Sequence, residues 1–152
     1  MGYVEELRKF VGHRPLILVG AVVIVLDEKG NVLLQQRTEP HGKWGLLGGL
    51  MELGESPEDT ARREVMEEAG IHVVNLQLID VFSGKNYFVK LANGDEFQTV
   101  TVAYYTNEFH GILTNNHEEG LALAFFSPSA LPEYIVGSHK KIIESYVQKL
   151  SC

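Results

Sequence analysis

The stretch from Gly49 to Ile71 constrains this chain more than any other. Its first part reads as a Gly-rich loop, preceded by the adjacent pair Gly48-Gly49, and runs into a helix. Ser56 is placed to cap that helix, Pro57 suits its first position, and Glu58 and Asp59 put negative charge in the first turn. Gly70 supplies the left-handed residue that ends it. Glu64, Glu67 and Glu68 then fall at i, i+3 and i+4, on one face within an arc of roughly 100°. Like charges at that spacing repel by about 0.2–0.5 kcal/mol per pair, and the helix C-terminus disfavours each by about 0.3–1 kcal/mol. Arg63 relieves part of this. Ala61, Val65 and Ala69 form the adjoining apolar stripe, so the carboxylates flank a packed face. A hard divalent cation resolves the conflict. Mg²⁺ takes oxygen ligands, keeps several waters and accepts one or two carboxylates plus substrate phosphates. On the helix alone, a solvated acidic face is the plain alternative.

The full pattern resembles the Nudix box, G-x5-E-x7-R-E-U-x-E-E-x-G-U with U apolar. Gly49, Glu55, Arg63, Glu64, Val65, Glu67, Glu68, Gly70 and Ile71 fill every fixed position. With common residues near 7% each, the fixed identities arise by chance roughly once in a hundred million start positions. The chain thus resembles the MutT-like Nudix hydrolases, and the order of its elements is similar to theirs over most of its length. The resemblance implies an α/β fold, a Nudix-type α/β/α sandwich with a central mixed β-sheet, forming one Nudix hydrolase domain over residues 1–152. It implies a pyrophosphohydrolase that cleaves a diphosphate linkage in a nucleotide or nucleoside-diphosphate derivative with Mg²⁺ or Mn²⁺. It places Glu64, Glu67, Glu68 and the carbonyl of Gly48 on the metal.

Other roles follow beside that resemblance. Arg63 and Glu55, of opposite charge, read as a brace between loop and helix. The general base is a box glutamate or one from a separate loop, for which Glu118 and Glu119 stand as candidates against plain loop exposure. Arg37 and Lys43 flank the Gly-rich loop as candidate phosphate contacts. Trp44, Phe82, Tyr87, Phe88 and Phe97 are candidate base-stacking residues, with core packing as the competing role. Tyr87 follows the box near the offset where a tyrosine is associated with dinucleoside polyphosphate hydrolases. Leu47 stands where the family commonly has proline, and without that fixed φ the loop is less preorganised. This departure is the one feature favouring an alternative, a catalytically silent Nudix-like nucleotide-binding or regulatory module.

Composition limits the partners. A chain of 152 residues buries about 68–70% of its unfolded surface as one domain. A single cysteine, Cys152, leaves no internal disulfide framework and suits a reducing compartment. No apolar run spans a bilayer and the N-terminus lacks a secretory pattern, so cytoplasm is expected. A net charge of −7 argues against nucleic-acid or anionic-membrane partners. It does not argue against a phosphorylated small molecule, because bound cations reverse the local field.

The remaining elements are read in order. Tyr3 to Val11 reads as a helix with Val4, Leu7, Phe10 and Val11 on one face, for packing or a homodimer contact. Leu16 to Leu26 is a strand buried on both faces, and Val32 to Gln36 is the next strand. His72 to Phe82 reads as one strand. Asn86 to Leu91 and Phe97 to Thr106 read as strands joined through Asn93-Gly94, and Leu121 to Phe126 as the last. Ser138 is placed to cap a final helix whose apolar face is Ile142, Ile143, Tyr146, Val147 and Leu150. Glu52 is expected to be exposed, and the histidines carry no metal-ligand spacing.

Overall fold

The computed structural model describes residues 2–151, so Cys152 lies outside it. The chain forms α1 (Tyr3–Val11), β1 (Leu16–Val25), β2 (Val32–Gln36), β3 (Trp44–Gly45), β4 (Leu47–Leu50), α2 (Pro57–Ala69), β5 (His72–Val74) and β6 (Gln77–Phe82). It continues as β7 (Phe88–Lys90), β8 (Glu96–Thr106), β9 (Glu108–His110), β10 (Ala122–Phe126) and α3 (Gly137–Leu150).

β1 organises the sheet because both of its faces are apolar. Ala21, Val23 and Val25 pack with Ala61, Val65 and Ala69 of α2. Val22 and Ile24 point the other way and pack with Ile142, Ile143 and Tyr146 of α3. The strands run in the order β4-β1-β8-β6, with β7 also paired to β8. β1 and β8 are parallel and the other pairs antiparallel, which makes a mixed sheet between helices. A second sheet, β10-β2-β3, and a ribbon of β5 with β9 complete it. No helix among the described residues is long and apolar enough to cross a membrane.

Four local readings are corrected. The loop before α2 begins later than read: Gly48 and Gly49 lie in β4, which pairs antiparallel with β1, with Val22 opposite Gly48 and Ala21 opposite Gly49, and only residues 51–56 form the loop. Leu47, the residue in the proline position, is fully buried opposite Val23. Ladder pairing and burial fix the backbone there. The single strand from His72 to Phe82 is broken at Asn75, whose φ is 54°, and its halves pair with β9 and β8 respectively. Residues Lys85–Tyr87 form a 3₁₀ turn before β7. Finally, α3 starts at Gly137 with no side-chain cap, so Ser138 lies inside the helix.

α1 buries no residue, and Phe10 is 88% exposed. Polar contacts hold the helix. Glu52, expected in solvent, accepts from Tyr3 N–H at 2.8 Å. Arg8 donates to the carbonyls of Gly12, Arg14 and Glu96, and Asp95 binds His13 at 2.7 Å.

Candidate active site

α2 is built by signals within its own sequence. Ser56 Oγ accepts from Asp59 N–H at 3.1 Å while Asp59 Oδ2 accepts from Ser56 N–H at 3.0 Å, a reciprocal cap. Gly70, at φ 69°, closes the other end. The packed stripe of Ala61, Val65 and Ala69 then decides which carboxylates turn inward. Glu68 is 7% exposed, and its Oε1 accepts from Gly48 N–H at 2.9 Å. The Glu64 side chain is 15% exposed and lies against Gly49. Glu67 stands apart, with 45% of its side chain exposed.

β4 makes this arrangement possible through its two glycines. A Cβ on Gly48, at φ 149°, would stand 2.1 Å from Ala21 O. A Cβ on Gly49 would stand 2.4 Å from Glu64 Cδ. The first glycine lets the strand close on β1, and the second leaves room for a carboxylate.

Arg63 links loop, strand and helix. Its Nε and Nη2 donate to Glu55 at 2.6 and 3.0 Å, its Nη2 to Leu50 O at 3.0 Å, and its Nη1 to Glu64 at 2.9 Å. Glu55 also accepts from Glu52 N–H and the Thr60 hydroxyl. The Arg63 bonds hold the Glu55 carboxyl down at about 2. Burial acts the other way on the neighbouring acids. It pushes Glu64 up to about 7 and Glu68 up to about 8.

Glu64, Glu68, Gly48 and Gly49 line one cavity of about 660 Å³. Arg37, Tyr87 and Glu119 line it too, although they come from distant parts of the chain. Burial lowers the Arg37 pKa, and the Glu68 charge opposes that. Its guanidinium has no hydrogen-bond or ion-pair partner among the described residues. Glu119 helps raise Glu64 and Glu68 by its charge. Of the other candidates for substrate contact or the base, Phe88 and Phe97 line it and four do not. Lys43 lies over the Tyr134 ring at 5.4 Å, Trp44 packs edge-on against Phe126 at 4.9 Å, Phe82 lies beside the Tyr87 ring at 6.2 Å, and Glu118 is exposed outside the cavity lining.

The structure adds residues that the sequence did not point to. His139 lines the cavity, its Nδ1 accepts from Leu46 N–H at 3.0 Å, and burial drives its pKa down to about 3. It is a neutral ring whose remaining proton sits on Nε2. Gln35 lines the cavity from β2, and Asn116 binds the end of α2. No local periodicity marks any of the three; each matters through a contact far along the chain.

The donor set suits a hard divalent cation. It offers oxygen atoms only, on two neighbouring acids that resist charge until a cation offsets their burial. Among the described residues no three His, Cys, Asp or Glu side chains surround one point. A cation there would meet the Glu64 and Glu68 carboxylates, and its remaining positions would be open to water and phosphate oxygens.

A mixed sheet between helices, with two neighbouring acids and an unpaired guanidinium on one cavity, defines an α/β protein with a charged site. Comparison gives the family. The NUDIX domain model matches residues 16–146, and the chain belongs to that family of hydrolases acting on phosphoric anhydrides. It is 30% identical over 127 residues to a candidate 8-oxo-dGTP diphosphatase of Bacillus subtilis (strain 168), covering 84% of this chain and 78% of that protein. It is 42% identical over 65 residues to the mitochondrial NAD(P)H pyrophosphatase NUDT13 of Homo sapiens, covering 43% of this chain but only 18% of that protein. A crystal structure of a MutT NUDIX hydrolase from Burkholderia pseudomallei matches with a TM-score of 0.72 at 26% identity, over 87% of this chain and 98% of the other.

Proposed function

We propose that this chain is a Mg²⁺- or Mn²⁺-dependent pyrophosphohydrolase that cleaves the diphosphate linkage of a nucleotide or nucleoside-diphosphate derivative. The observation that carries this is that the buried Glu68 and the half-buried Glu64 line one cavity together with an unpaired Arg37. Glu64, Glu68 and the Gly48 carbonyl hold the cation, with Glu67 able to join from the rim. When bound, the cation screens the diphosphate charge and lowers the pKa of its water. The protein supplies the rest. Gly48 N–H orients Glu68, and Arg63 orients Glu64. Arg37 offsets charge on the phosphate oxygens, and Tyr87 offers its ring to the group beyond the diphosphate. Glu119 takes the proton of the attacking water. Positioning and charge stabilisation then account for most of the rate.

The relatives support a nucleotide substrate. One is named for 8-oxo-dGTP and another for NAD(P)H, so both a nucleoside triphosphate and a dinucleotide are carried into the test. Leu47, the residue that favoured a silent binding module, is accounted for as a buried strand residue.

The test is phosphate or pyrophosphate release from a nucleotide panel with and without Mg²⁺ or Mn²⁺, with products analysed in ¹⁸O-labelled water. Metal-dependent turnover is expected, and Glu67 and Glu68 replaced together by Gln should abolish it with the fold intact. Full activity in that variant, or turnover unaffected by chelation, would defeat the reading.

A further inference from the structure

The segment between β9 and β10 brings Glu119 to the cavity, and two residues lie against it. Asn116 is the first. Its Nδ2 donates to the Glu67 carbonyl at 2.9 Å, and its backbone N–H donates to the Glu68 carbonyl at 3.3 Å. Its own carbonyl accepts from Glu119 N–H and Gly120 N–H, both at 2.9 Å, and its Oδ1 accepts from Glu118 N–H at 3.1 Å. One residue thereby ties the turn carrying Glu119 to the backbone of two acidic residues of α2. It also satisfies carbonyls that a helix end leaves without internal partners.

Gln35 is the second. It is 4% exposed, lines the cavity, and its Nε2 has no hydrogen-bond partner among the described residues. A Cβ on Gly120 would lie 2.7 Å from Gln35 Nε2 and 2.8 Å from its Cγ. The Gly120 backbone is not in the left-handed region, so close approach, not conformation, demands glycine there. The turn after Glu119 is therefore seated directly on the Gln35 amide. A buried amide without a partner is destabilising, and an apolar side chain of similar shape would remove the penalty. Its presence at this spot calls for a functional reason.

We propose that Asn116 and Gln35 are positioning residues that set Glu119 against the Glu64–Glu68 pair. Asn116 fixes the height of the turn above α2, and Gln35 fixes its lateral seat on β2. The inference rests on the hydrolase reading above, with Glu119 as the proton acceptor.

The test measures turnover, and amide hydrogen exchange of residues 113–121, in the wild-type chain, Asn116→Ala, Gln35→Met, Glu119→Ala and the two double variants. Glu119→Ala is expected to lower kcat by about 10²-fold or more. Asn116→Ala and Gln35→Met should each lower kcat about tenfold, with KM changed by less than about twofold, as a misplaced group does. In the Glu119→Ala background neither should lower kcat further, because residues acting through one group are not additive. Exchange at Glu119 and Gly120 should quicken in Asn116→Ala without ligand. Gln35→Met should melt at or above the wild-type temperature, which separates its slower turnover from lost folding. Losses that multiply in the Glu119→Ala background overturn the proposal, as does unchanged exchange in Asn116→Ala. Full turnover by Glu119→Ala also overturns it and moves the proton acceptor elsewhere, while metal-dependent hydrolysis stands. A wild-type chain inactive on every nucleotide with metal removes both.

Discussion

Burial pushes the Glu64 carboxyl up to about 7 and the Glu68 carboxyl up to about 8, from an ordinary 4.5. Between those values the folded chain binds more protons than the unfolded one. Its stability therefore falls as pH rises from about 4.5 to about 8. Glu55 has the opposite sign. Its folded value of about 2 lies below the ordinary 4.5, so its contribution is present above 4.5 and is lost as pH falls toward 2. The metal-free chain should thus melt highest near about pH 5 and lower toward pH 8. Glu68→Gln stays neutral throughout and still accepts from Gly48 N–H, so it should flatten that fall while losing turnover. Thermal melts across this range, with and without Mg²⁺, check the point, and Mg²⁺ should raise the wild-type melting temperature most at the alkaline end. A second residue prediction concerns Arg63. Its removal leaves Glu55 and the Leu50 carbonyl without their cationic donor. Arg63→Ala should cost about 2–3 kcal/mol in urea denaturation, since both groups are partly buried.

Elements whose signals lie within their own residues were legible in the sequence, and those fixed by partners were not. α2 was readable to its ends because Ser56, Pro57 and Gly70 act locally. β1 was readable because both faces are apolar along its length. β4 is hidden in the sequence because glycines side by side look like a loop until Ala21 and Val22 are brought beside them. The break at Asn75 was hidden for the same reason: the two halves change partner from β9 to β8. The pairing of β4 with β1 separates two adjacent substitutions. Gly48→Ala sets a Cβ against backbone atoms at a φ that side chains rarely adopt. It should detach β4 and destabilise the fold by about 3 kcal/mol or more. Gly49→Ala meets only the end of a flexible Glu64 side chain. It should keep most of the stability yet lower kcat at least about tenfold by moving that carboxylate. Circular-dichroism melts beside turnover assays distinguish them, and equal melting of the two variants would contradict the account.

Across the whole molecule, the site combines one legible face with contacts that no single segment contains. The carboxylate row of α2 is a property of helical spacing. Arg37, Glu119 and His139 reach the cavity only because the sheet brings separate strands, a loop and α3 together. The charge of the molecule then governs how ligands approach. The net charge is −7, and the cavity wall sets Glu39, Glu64, Glu68 and Glu119 against Arg37 and Lys90. Such a surface attracts cations and repels a free polyphosphate until bound cations reverse the local field. Raising ionic strength from about 0.01 to 0.15 M shortens the screening length from about 30 to 8 Å. Two effects of opposite sign should follow. The dissociation constant for Mn²⁺ should rise with salt, because screening weakens attraction to the acidic wall. At saturating Mg²⁺, kcat/KM for a nucleoside triphosphate should rise with salt, because screening weakens repulsion from the remaining surface. Metal titrations and initial rates across that salt range measure both. A steep fall of kcat/KM with salt at saturating metal would mean that cationic side chains capture the substrate. The order of binding, cation before polyphosphate, would then have to be reversed.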